Sequence, residues 1–191
     1  SVSAFLLNRS SDLTGSINEL VGLVAISHDE AFSLAALKDL TRSGYPAEEE
    51  YVKAVLKKTS RLTNKDSILT VVNDALEVSH HGDLVGLKKG IAQELVGSDP
   101  QKALSICEEI KNWSDVNDII AQASLSAAES SADLTAKYGF LKQAYGVVSE
   151  QEIRTEVEKE IVRLAGTYFS LGKEDQALSL LKEFRCALTD N

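Results

Sequence analysis

Methionine is absent from this sequence, and proline, cysteine, histidine and tryptophan are scarce: two, two, three and one in 191 residues. Each shortage excludes something. Two cysteines, Cys107 and Cys186, cannot build a disulfide framework; both fall on apolar helix faces and read as buried free thiols. His28, His80 and His81 lack the i, i+4 spacing of a helical metal site, so no metal and no cofactor is expected. No Gly-x-Ser-x-Gly elbow, Gly-rich phosphate loop or His-Glu-x-x-His pair occurs, and no catalytic residue is assigned; the chain is expected not to be an enzyme. The longest apolar stretches, such as 20–26, are broken by glycine and fall short of the ~18 residues of a membrane span. Basic residues are also in the minority. The net charge of −9 and pI near 4.9 argue against a nucleic-acid surface, which needs clustered Lys and Arg to neutralise phosphates. Without methionine or a basic leader, the chain is expected to lie inside a longer parent protein, soluble and in the cytoplasm.

What is present is helical period. Ile153, Val157, Ile161, Leu164, Tyr168 and Leu171 form one apolar stripe. Leu134, Tyr138, Leu141, Tyr145 and Val148 form another, and Ala177, Leu178, Leu181, Phe184 and Leu188 a third. No segment alternates with the period of two that a strand requires. Gly44 and Pro46 punctuate one helix boundary, and Asp99-Pro100 reads as an N-cap followed by a first-turn proline. Trp113, before Ser114, reads as a hydrophobic staple over a new helix. The spacing predicts ten helices, over 11–26, 28–42, 46–60, 65–79, 83–96, 99–112, 114–129, 132–148, 150–170 and 173–188. Short connections make them antiparallel hairpins in one all-α array over 1–191.

A small residue followed by a large apolar one opens five of these stretches, at Ala31, Ser67, Ala103, Gly139 and Ala177. The steps are 36, 36, 36 and 38 residues, and a fixed period of this size indicates stacked helical units. Leu164-Ala165, Tyr168, Gly172 and Ala177-Leu178 give the unit near 161–190 its signature. That unit resembles a tetratricopeptide repeat, in which small residues let two helices approach, the tyrosine fills their groove and the glycine makes the turn. The other units diverge, with Glu94 and Gly22 at the tyrosine position, and HEAT- or armadillo-like units stay open. The resemblance implies a right-handed solenoid with a concave protein-binding groove and no catalysis.

The expected function is therefore a protein–protein interaction scaffold, an adaptor or chaperone-like module that binds a peptide or helical segment. A non-catalytic helical domain of a larger enzyme and a structural or oligomerisation spacer are the alternatives. Lys53, Lys57 and Arg61 share one helix face at i, i+4 and i+8, and Lys88-Lys89 recur one period later. These five form the candidate partner-binding set, a basic track for an acidic protein segment. The opposing reading is a solvated face paired with Glu49 and Glu50. The acidic pairs Glu108-Glu109 and Glu158/Glu160 are assigned to solvent faces.

Overall fold

A computed structural model describes residues 13–184. These form ten α-helices and no strand: α1 (Leu13–Ala25), α2 (Glu30–Arg42), α3 (Glu48–Thr59), α4 (Lys65–Leu76), α5 (Gly82–Leu95), α6 (Pro100–Ile110), α7 (Asn117–Ser130), α8 (Leu134–Val147), α9 (Gln151–Ser170) and α10 (Glu174–Glu183). Each predicted helix has its counterpart. Cys186 and Leu188 lie outside the described residues. The chain divides into two compact units at Lys88/Lys89, within α5.

Local chemistry sets the boundaries. Asp29, Asn64, Asp99 and Asp133 are the N-caps of α2, α4, α6 and α8, and each side chain accepts a hydrogen bond from a backbone N–H of the first turn. The four caps stand 35, 35 and 34 residues apart. Gly44 and Gly172 end α2 and α9 in the left-handed region, with φ of 81° and 70°. Tyr45 N–H then donates to Leu40 O, and Lys173 N–H to Tyr168 O, both across the six-residue loop of a Schellman stop.

In the first unit, α1 packs on α2 and α3, α2 on α3, and α3 on α4. Ile17, Val21 and Val24 of α1 are buried, as are Leu37 and Leu40 of α2 and Tyr51, Val52 and Val55 of α3. Burial pushes the Tyr51 hydroxyl up to about 12, so it stays neutral. Glu48, in the first turn of α3, accepts a hydrogen bond from Ser79, just past α4.

In the second unit each helix from α6 to α10 packs on the next, and α7 also touches α9. The buried positions of α7 are mostly small, Ala121, Ala123, Ser124, Ala127 and Ala128, which lets neighbouring helices come close. Asp118 of α7 repeats the role of Glu48. Its carboxylate accepts Ser149 N–H (3.1 Å), Ser149 Oγ–H (2.9 Å) and Glu150 N–H (3.2 Å). The α9 N-cap, Glu150, makes no side-chain cap of its own, so α9 is capped from another helix. The Ser149 backbone N–H foremost holds the Asp118 carboxyl below its usual range.

The small residues of the last hairpin lie in its core. Ala165 and Ala177 are both buried in one apolar cluster with Leu164, Leu180 and Phe184, and Tyr168 and Leu181 pack against it. Ala177→Leu is expected to overpack this contact and cost about 1–3 kcal/mol, read from the urea midpoint. A neutral substitution would mean that α9 and α10 do not approach closely there.

The assignment of Glu160 to solvent is corrected: it is only 5% exposed. Glu160 stands seven residues after Ile153 and four before Leu164, inside the buried stripe of α9. Its carboxylate meets Lys137 Nζ of α8 at 2.7 Å and Arg163 at 3.0 Å. Trp113 is corrected too. It is 48% exposed, and α7 starts at Asn117, after N-cap Val116. Trp113 N–H and Ser114 N–H both donate back to Ile110 O, so the two residues extend the trailing turn of α6 and Ser114 does not cap α7.

Candidate functional site

The α2–α3 hairpin carries a groove of about 370 Å³. Its floor is small and apolar. Ala31 and Leu34 come from α2, Ala54 from α3 and Ala25 from the end of α1. Alanines leave space that larger side chains would fill, so the groove follows from composition. The α3 wall is charged because Glu50, Lys53, Ala54, Lys57 and Lys58 recur at i, i+3, i+4, i+7 and i+8, one helix face.

The rim interleaves both signs, with cations in excess. Glu30, the first residue of α2, lies 3.3 Å from Lys57 Nζ and 2.5 Å from the Arg61 guanidinium. Hydrogen bonds from Arg61 and then Lys57 hold the Glu30 carboxyl below its usual range. These cross-hairpin contacts join the start of α2 to the end of α3, as antiparallel helices require. Lys53 pairs with Glu50 at 2.7 Å, and this contact raises the Lys53 ammonium above its ordinary value. Lys58 makes no ion pair among the described residues. Three lysines, Lys53, Lys57 and Lys58, thus line the groove with the two carboxylates Glu30 and Glu50, and Arg61 joins them through Glu30. Local charge is positive in a chain whose net charge is −9.

Of the five expected residues, Lys53 and Lys57 line this groove, and Arg61 lies beside it through its pair with Glu30. Lys88 does not belong to a surface set: it is 3% exposed, and its Nζ donates to Asn73 Oδ1 at 2.6 Å. It occupies the stripe Leu84, Val85, Lys88, Ile91, Ala92, Leu95, every other member of which is buried. Lys89, one residue round the helix, is engaged in the second unit, where its Nζ donates to Asp115 O at 2.6 Å. Glu30, Lys58 and the alanine floor were not in the expected set. The signal for Glu30 is its place at the first turn of α2, where hairpin pairing brings it to the last turn of α3.

No group of three or more His, Cys, Asp or Glu suited to a metal occurs among the described residues. His81 Nδ1 accepts from Asp83 N–H at 3.3 Å, a helix-start contact. Burial foremost pushes the Cys107 thiol up to about 11, so it is not an activated nucleophile. Among the described residues no helix is long and apolar enough to cross a membrane. Comparison with protein-family models, curated proteins and solved structures finds no match to the chain.

Proposed function

We propose that the chain is a helix-hairpin scaffold of tetratricopeptide-like units that binds a segment of a partner protein, and that the α2–α3 groove takes an acidic stretch of that partner. The observation that carries this is the positive rim over an alanine floor. A concave apolar surface with a few convergent polar groups is the usual form of a recognition site. The rim charge adds sign selectivity, and complementary charge mainly speeds encounter and excludes wrong partners.

Lys53→Glu/Lys57→Glu is the direct test. Association of a fluorescein-labelled acidic helix-forming peptide is expected to slow about tenfold at low salt, and the difference from the native chain to shrink as ionic strength rises. Stopped-flow fluorescence measures both. Both exposed lysines sit on the solvent side of α3, so the variant should fold normally. Unchanged association at low salt would make Lys53 and Lys57 solvated surface.

A further inference from the structure

A second groove, in the other unit, has the opposite sign. It measures about 550 Å³ and runs between α7 and α9, the alternate helices that touch in that unit. Leu125 of α7 and Ile153 of α9 give it an apolar floor. Glu129 stands on one wall, and Glu152 and Glu156 on the other. Of the three, Glu156 has a cation, Lys159 at 2.6 Å; Glu129 and Glu152 have no ion pair among the described residues.

One of these carboxylates sits where local helix energetics disfavour it. Glu129 lies in the last turn of α7, at the negative end of the helix dipole, and that turn holds no basic residue. Glu152 lies in the first turn of α9, where the helix dipole favours it, and Glu156, four residues on, faces it with like charge. The Glu129 position does not serve the helix that carries it. Sequences that break a local rule without structural return do so most often at functional positions. A ligand bringing positive charge would relieve both costs at once.

We propose that the α7–α9 groove is a docking site for a basic amphipathic segment of a partner protein. Its apolar side chains would lie on Leu125 and Ile153, and its lysines or arginines would reach Glu129, Glu152 and Glu156. The proposal stands apart from the α2–α3 groove, which differs in unit, sign and ligand. With both, the chain would be an adaptor that holds one acidic and one basic segment.

The probe is a labelled helix-forming peptide with leucine along one face and lysine on both flanks, titrated into the full chain by fluorescence anisotropy. Saturable, salt-sensitive binding is expected. Glu129→Lys/Glu152→Lys should weaken it at least tenfold. Glu174→Lys/Asp175→Lys, with the same change in net charge at exposed positions of α10, should change it less than twofold. A peptide with its leucines replaced by serine should not bind. Glu129→Lys/Glu152→Lys should keep the native helical circular dichroism, because both positions are exposed. Amide chemical-shift changes on the native chain should cluster on α7 and α9, a readout that needs no variant. Equal loss in both charge-reversal variants, binding of the serine peptide, absence of saturable binding, or shifts elsewhere would overturn the proposal. So would a self-association, seen by sedimentation equilibrium, that Glu129→Lys/Glu152→Lys abolishes; a second copy would then occupy the groove. Failure of the acidic-peptide experiment leaves this one intact, since neither uses the other's residues or probe.

Discussion

Phe184→Ala is expected to remove about 3–5 kcal/mol of stability, the range for emptying a buried aromatic site. Phe184 closes α10 and is 3% exposed. Its ring meets Tyr138 and Tyr145 of α8 edge-on, with centroids 6.2 and 5.2 Å away and interplanar angles of 74° and 80°. Such edge contacts add about 0.5–1.5 kcal/mol beyond area burial. The preceding residue reinforces the same junction: Glu183 accepts from Tyr138 Oη at 2.7 Å and meets Lys142 Nζ at 2.9 Å. A domain of ordinary stability holds only about 5–15 kcal/mol in total, so one truncation should empty a large part of it. The check is urea unfolding, with the midpoint lowered at unchanged slope. Phe184→Leu should lose less, because most of the volume remains. A loss below about 1 kcal/mol for the alanine variant, no more than an average point mutation, would mean that α10 is not anchored through this ring.

Lys137→Met is expected to cost about 3 kcal/mol, because it strips a partner from a buried carboxylate. Burial by itself would raise the Glu160 carboxyl, but hydrogen bonds from Lys137 and Arg163 outweigh it and hold the group below its ordinary range. A carboxyl depressed in the folded state contributes stability above its unfolded value, and the chain loses that contribution as pH falls through the folded one. Without Lys137 the depression shrinks, so acid unfolding of the variant should begin at higher pH than in the native chain. Lys137→Met/Glu160→Leu should recover the loss, since well-packed apolar replacements of a buried pair are often neutral or stabilising. Thermal melts between neutral and acid pH separate these outcomes. A single variant as stable as the native chain would show that Arg163 alone satisfies Glu160.

Helix number and placement were legible because apolar period, Gly44, Gly172 and Asp99-Pro100 all act within one turn of the chain. Lys88 and Glu160 were misplaced for one shared reason: a charged residue was assigned to solvent by its type, although its register put it inside an apolar stripe. Lys88 stands four after Leu84 and three before Ile91; Glu160 stands seven after Ile153 and three after Val157. Register was the better guide in both. Each charge has a partner from another helix, Asn73 for Lys88 and Lys137 for Glu160, and such partners are invisible to a local reading. The start of α7 slipped because Ser114 resembles a cap while its N–H completes the turn of α6. Apolar pairs give a spacing of 36 to 38, whereas the Asx caps stand about 35 apart. The α2–α3 groove was half visible: the lysine face is a spacing on one helix, but Glu30 and the alanine floor need the hairpin to bring them round.

The bonds from Glu48 to Ser79 and from Asp118 to Ser149 span the same 31 residues of chain. Each closes a loop around two helices, from the first turn of one to the junction beyond the other. Such a loop works as a caliper on the hairpin inside it. One residue added within α8 would swing everything after it by about 100° around the helix axis and carry Ser149 away from its carboxylate. The start of α9 would then lose its cap through a change of length some distance before it. Within these brackets, chain length is thus as much a specified quantity as side-chain identity.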